Sequence, residues 1–356
     1  MATLSTPKLL RERVLSFLKS QAADGFQEAV DVQVGLFGQA LLISSVFSLS
    51  MIALALHGAA GDDPECAAIV SREADLLAKL ADEAGWRYFN LFADIPPDTD
   101  DLAQAIALLV AARHPERDGL LKGPLERLER NRVVPGRFRT WLVGSEAEAA
   151  AADAQWVAGR DPVHVEVVAN VLNAVAGYDP ARFRADLVAG ADWLVAHQRA
   201  GLWESYWYYG HGYGTHLVLR LLSALERLRP ELGERFAPAR EAALDAILAS
   251  QGPDGGWEAR CAPTGLTEHG IEWRPTGSGA LETALMLSAL GTLGWPEGAA
   301  PAVERALGFL ADRQDPDGGF AAEPYFFTLG MAPHQSRCLT SAAVLSSVSF
   351  SNHAHG

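Results

Sequence analysis

A phrase that occurs twice constrains this chain more than any other feature. Ala249-Ser250-Gln251-Gly252-Pro253-Asp254-Gly255-Gly256-Trp257 closes a helical run from Ala242 to Leu248. Proline has no amide hydrogen to give and glycine readily leaves helical angles, so the helix must stop there. The phrase returns as Gln314-Asp315-Pro316-Asp317-Gly318-Gly319-Phe320, after the helical residues Phe309 and Leu310. A helix that ends in Gln, turns on Asp-Gly and closes on an aromatic is therefore a repeated unit, and a repeat decides the architecture.

Looser copies run from Gln21 to Phe26 and from Gln198 to Trp203, and weaker ones end at Trp86 and Phe138. The closing aromatics at 26, 86, 138, 203, 257 and 320 divide the chain into six similar stretches. Each stretch has room for two helices of ordinary length with their connections, about twelve helices in all. Six helical hairpins can close into a ring with one helix of each outside and one inside, so the spacing predicts an all-α protein, an α/α toroid. The apolar periodicity puts outer helices near 7–21, 63–84, 118–131, 182–198, 237–250 and 301–313. Inner ones fall within 32–61 and near 102–113, 163–176, 213–227, 278–293 and 335–348. The toroid is read as one domain over 1–348 with a loose tail at 349–356, and no sheet of consequence is expected.

With 49% hydrophobic residues in 356 the chain is apolar enough for a large core and too apolar for disorder. Its formal charge of −15 excludes a nucleic-acid partner, because phosphate binding needs a basic face. Cys66, Cys261 and Cys338 lie too far apart to suggest a disulfide framework or a thiolate zinc site, which fits a reducing cytoplasm. No signal peptide is evident. Residues 32–61 carry no Asp, Glu, Lys or Arg, long enough to span a bilayer; their Gln and Ser content and their place in the repeat favour a fully buried inner helix. The Ala-rich stretch 144–161 exceeds what a hairpin connection needs and reads as a short helix or a flap.

The Gln-x-x-Asp-Gly-Gly-aromatic phrase resembles the repeat of squalene-hopene cyclases, class II diterpene cyclases and, more loosely, protein prenyltransferase β subunits, all of which use this toroid. Pro96-Pro97-Asp98-Thr99-Asp100-Asp101-Leu102-Ala103 resembles the Asp-x-Asp-Asp-Thr-Ala motif of class II terpene cyclases, with Leu102 at the family's Thr. The resemblance gives Asp100 the role of the middle Asp, which protonates an alkene or epoxide. The residues carry the same logic unaided: three carboxylates crowded in a partly buried site cannot all ionise, so a proton is retained. An Asp after Pro-Pro at a helix start is equally an N-cap. The zinc ligands of the prenyltransferases have no counterpart here.

Loops leading into the inner helices of such a ring open at one end and bring distant residues together. Asp98, Asp100, Asp101 and His164 are the candidate acid group. Trp203, Tyr206, Trp207, His211, Tyr213, Trp273, Tyr325, Phe326 and His334 are the candidate substrate wall, since aromatic faces stabilise cations and suit an isoprenoid chain; large rings that merely plug the ring remain the alternative. The reading is a class II terpene-cyclase-like enzyme acting on an apolar small molecule by Asp protonation, without a cofactor. Magnesium enters only if the substrate is a diphosphate. A prenyltransferase-like or other lipid-binding enzyme on the same toroid and a non-catalytic scaffold stay open, as do a homodimer and a peripheral membrane contact. Class II cyclases enclose substrate between two such domains, and this sequence supplies one.

Overall fold

The computed structural model describes residues 6–34, 41–90, 95–156, 161–267, 270–327 and 333–349. Among them are thirteen α-helices and four two-stranded antiparallel hairpins. The chain gathers into two compact units, one of residues 26–196 and one of residues 1–25 with 197–356. Helix α1 (Thr6–Gln21) opens the chain.

In the unit of residues 26–196, β1 (Asp31–Val34) pairs with β2 (Leu41–Ser44) ahead of α2 (Val46–Ala60). Then come α3 (Pro64–Leu80), α4 (Thr99–Ala111) and α5 (Arg117–Arg130). The short pair β3 (Arg132–Val134) and β4 (Arg137–Phe138) leads to α6 (Glu146–Trp156), α7 (Val165–Tyr178) and α8 (Arg184–Ala196). Helix α4 packs between α2 and α7, while α3 covers α2 and α8 covers α7. The central helices are buried on nearly every side and the covering ones carry the charge, the contrast that a layered helical unit requires.

The other unit repeats the plan with α9 (Gly212–Leu228), α10 (Gly233–Ala249), β5 (Trp257–Thr267) paired with β6 (Gly270–Gly279), α11 (Ala280–Thr292) and α12 (Ala300–Arg313). It ends with β7 (Glu323–Phe327), β8 (Pro333–Ser336) and α13 (Arg337–Ser349). Helix α11 packs between α9 and α13, with α10 on α9, α12 on α11 and α1 on α13.

The repeated Gln is a staple. Gln251 donates its amide to the Gly255 carbonyl of its own turn and to Ala302 on α12, both at 2.8 Å. Gln198 does the same with Gly201 and Ala239, and Gln314 with Gly318 and Leu10. Each closing aromatic is buried, and a hydroxyl on the following central helix accepts its N–H: Thr215 for Trp203, Thr283 for Trp257 and Ser341 for Phe320. The Trp257 indole also donates to the Ile247 carbonyl at 2.8 Å, satisfying a helix-end acceptor. Gly255 has φ +90°, and a Cβ there would lie 2.6 Å from the Arg305 carbonyl oxygen, so only glycine fits.

The helices fall where the periodicity places them. The four hairpins were not expected: the connections into the central helices are long, and their backbone groups find partners by pairing with each other. The uncharged run 32–61 is not one helix; it holds the β1–β2 hairpin and the 15-residue α2. No helix among the described residues is long and apolar enough to cross a membrane. The Ala-rich stretch contains a helix, α6. Ser349 closes α13, and the rest of the expected tail lies outside the described residues.

Candidate active site

Asp98 is the N-cap of α4, and its side chain accepts the Asp101 N–H at 2.7 Å. The preceding loop is clamped at both ends: Asp98 N–H donates to the Trp86 carbonyl and Leu142 N–H to Pro97, while Asp98 bridges Trp141. Thr99 donates its N–H to the Thr140 carbonyl and its hydroxyl to Arg139. The clamp holds the three acids in the core, with Asp98 6%, Asp100 8% and Asp101 2% exposed. Burial pushes the Asp98 carboxyl up to about 6. Burial first, and then the charge of Asp98, hold Asp101 well above the usual carboxylate range. Two buried carboxyls side by side cannot both ionise freely, so both are raised and the pair retains a proton.

Asp100 faces α7, where Asn170 donates its amide to Asp100 Oδ1 at 2.6 Å. An amide N–H can only donate, so Oδ1 serves as an acceptor and the proton of a neutral Asp100 belongs on Oδ2. His164 is the N-cap of α7, and its Nδ1 lies 2.7 Å from the Thr140 hydroxyl. Burial pushes the imidazole down to about 3, so the ring is neutral. Thr140 thus ties the start of α4 to the start of α7. Beyond the acids, Tyr88 donates its hydroxyl to Asp31 at 2.9 Å, and burial followed by the Asp31 charge raises its pKa well above the ordinary value.

The candidate aromatics lie in the other unit. Tyr209 N–H donates to Tyr325 and Phe327 N–H to Trp207, so the segment 207–209 runs along β7. Tyr208 stacks on Tyr213 at 4.0 Å and meets Tyr325 and Phe326 edge-on, while Phe326 stacks on His334 at 4.8 Å. Tyr206 and Trp207 form a separate edge-to-face pair. Trp203 and Tyr325 have no exposed surface, which makes them core. His211 joins through its backbone, whose N–H donates with that of Gly212 to Glu282, a carboxylate capping α9. The Trp273 side chain lies outside the described residues. Among the described residues no cluster of His, Cys, Asp or Glu is placed to hold a metal ion.

Asn170, Thr140, Tyr88 and Tyr208 were not among the sequence candidates. Asn170 left a signal, being one of two asparagines on an inner helix whose other residues, Glu166 aside, are almost all apolar, and a buried amide needs a partner.

A helical repeat stapled by Gln and a trio of buried acids at a helix start, the first of them its N-cap, match the resemblance to terpene cyclase folds, and comparison agrees. The model of the squalene-hopene cyclase C-terminal domain matches residues 68–334. The chain belongs to that family. It is 29% identical over 73% of its length to a drimenyl diphosphate synthase of Streptomyces showdoensis, covering 43% of that protein. It is 25% identical over 86% of its length to a squalene-hopene cyclase of Zymomonas mobilis, covering 48% of it. The chain therefore spans less than half the length of these curated relatives. A variant of the type II terpene cyclase MstE from Scytonema, in complex with its substrate geranylgeranyl dihydroxybenzoate, superposes with a TM-score of 0.72 over 98% of both chains at 18% identity. An ent-copalyl diphosphate synthase of Streptomyces platensis does so with a TM-score of 0.59 at 20% identity, over 86% of this chain and 50% of its own. These likenesses establish the all-α fold of the α/α-toroid class.

Proposed function

We propose that this protein is a type II terpene cyclase that starts a carbocation cyclisation by protonating an isoprenoid chain with Asp100. The observation that carries the reading is the Asn170 amide on Asp100 Oδ1, which directs the acidic proton to Oδ2. In the reaction the Asp100 O–H bond breaks and the proton adds to one alkene or epoxide atom. The adjoining carbon becomes cationic, and alkene electrons of the same chain close the ring. Loss of a proton from the product cation ends the sequence and balances it. The negative charge that remains on the buried Asp98–Asp101 pair opposes ionisation of Asp100 beside it, which favours the protonated acid. His164 acts through Thr140 as a positioning residue for the α4 start.

The substrate class follows from the relatives' names, which join prenyl chains to diphosphates or to an aromatic acid. The aromatic residues around Tyr208 supply faces suited to a cation or a prenyl chain. Magnesium would accompany a diphosphate only. Incubation of the protein with prenyl diphosphates, prenyl aromatic acids and squalene, followed by mass spectrometry, tests the reading: a cyclic isomer that wild type makes and Asp100→Asn does not supports it. Isomer formation undiminished in Asp100→Asn overturns it.

A further inference from the structure

Helix α4 carries one polar residue after its first turn, Gln104. It stands four residues after Asp100, on the same helix face one turn on, with about 5 to 6 Å between the two β carbons. Gln104 is 6% exposed, and its neighbours Leu102, Ala103, Ala105 and Ile106 are fully buried.

The other buried amides among the described residues hold partners. Asn170 donates to Asp100, Asn173 to the Ala169 carbonyl, and Asn131 to the Arg127 and Val143 carbonyls. Among the described residues no protein group pairs with the Gln104 amide, and neither its oxygen nor its nitrogen is fully enclosed. A buried amide left unpaired is costly, so one kept in this state beside the acid is set to receive a hydrogen-bonding atom from a guest.

The place next to Asp100 decides what that atom can be. An alkene has no lone pair and would leave the amide unpaired as the chain fills the site. A water there would stand beside the nascent cation and capture it before ring closure. An oxygen carried by the chain itself meets both demands. Of the oxygens a prenyl chain can carry, an epoxide is the one whose protonation by a carboxylic acid generates an electrophilic carbon, because ring strain drives the carbon–oxygen cleavage.

We propose that Gln104 seats the oxygen of a terminal epoxide on the prenyl chain, so that Asp100 protonates an oxygen and not a plain alkene. This rests on the cyclase reading for the acid, and on the unpaired amide for the oxygen. The epoxide oxygen has two lone pairs: one accepts the Gln104 N–H and the other takes the Asp100 proton. The bond from oxygen to the more substituted carbon breaks as electrons of the next alkene form the carbon–carbon bond, and the oxygen stays on the product as a hydroxyl. The proton lost from the final cation balances the one that Asp100 gave. The Gln104 N–H stabilises the charge that builds on the oxygen as its bond to carbon lengthens.

Calorimetric titration tests this with farnesol, geranylgeraniol and squalene, each beside its own terminal epoxide. The background is Asp100→Ala, which prevents turnover and removes every hydrogen-bonding atom of that side chain. At least one epoxide should bind about tenfold or more tighter than its alkene, the scale of one buried hydrogen bond. Gln104→Met is close in shape and has no donor, so it should bring that epoxide down to the affinity of its alkene. Its melting temperature should stay level or rise, because an unpaired buried amide is gone. No difference within any pair, whether both members bind or neither does, overturns the proposal, and so does a preference that survives Gln104→Met. Wild type is then given the same pairs for turnover. An acyclic alcohol heavier than its alkene by one water would make Gln104 the holder of a water and overturn the epoxide seat. A Gln104-dependent preference with cyclic product formed equally by Asp100→Asn would sink the cyclase reading and keep the seat. Asp100-dependent cyclisation of alkenes, with no preference for epoxides, would do the reverse.

Discussion

Asp100→Asn exchanges an acid for an amide of nearly the same shape, so it removes the proton and little else. Turnover should fall by about two orders of magnitude or more, the range of general-acid steps, with the denaturant midpoint little changed. Asp98→Asn keeps the cap, because Asn caps as well as Asp, and it should cost far less activity. Asn170→Leu leaves Asp100 Oδ1 without its donor. Its expected signature is a lower kcat with KM nearly constant, since the change acts on the proton and not on the bound chain; a rise in KM alone would place Asn170 in binding. His164 makes the protein sensitive to acid. Its folded pKa of about 3 lies below the ordinary 6.5, so between these values the unfolded chain binds a proton that the folded one does not. Stability should decline as pH falls from 6.5, with a slope from this group approaching about 1.4 kcal/mol per pH unit. Urea melts of wild type and His164→Asn between pH 4 and 7 check this, the variant showing the flatter profile. Asp98 works the other way, because its raised pKa favours the folded state below the ordinary carboxylate range and the benefit is lost as pH rises through about 6.

At the scale of elements, the stapled turns at Gln251 and Gln314 tie α10 to α12 and α12 to α1. Trp257 is 1% exposed and its indole N–H holds the Ile247 carbonyl, so Trp257→Ala should destabilise by about 3 to 5 kcal/mol in a denaturant titration. Gly255→Ala should cost about 1 to 3 kcal/mol, because a side chain would meet both a positive φ and the Arg305 carbonyl. Gly318 has the same geometry against the Arg13 carbonyl, and its substitution should behave alike. A neutral outcome at both glycines would mean that the covering helices are not in fixed contact with the turns.

At the scale of the whole molecule, the unit that ends the chain also contains its beginning. Helix α1 serves as the covering helix of the last repeat: Gln314 donates to the Leu10 carbonyl, Arg13 to Asp315, and the Arg337 guanidinium lies over the Phe17 ring. Phe17 and Leu18 are buried in that contact. Deleting residues 1–21 should therefore lower the ellipticity by more than one helix's share and broaden the unfolding transition. A deletion that leaves a sharp transition at the wild-type midpoint would contradict this closure.

The repeat phrase determined the fold without help from tertiary contacts, because Gln, Asp-Gly and a closing aromatic act within one turn and recur at a spacing that only two helices fill. Asp98, Asp100 and Asp101 were legible for the same reason: they sit within four residues at a helix start, and their mutual crowding is a local fact. Asn170 on Asp100 and Thr140 between α4 and α7 were decided by helix packing, which joins residues 70 and 24 apart in sequence. The hairpins escaped because strand pairing is non-local and their sequences alternate weakly. Tyr208 likewise became the centre of an aromatic group only when β7 was laid against it.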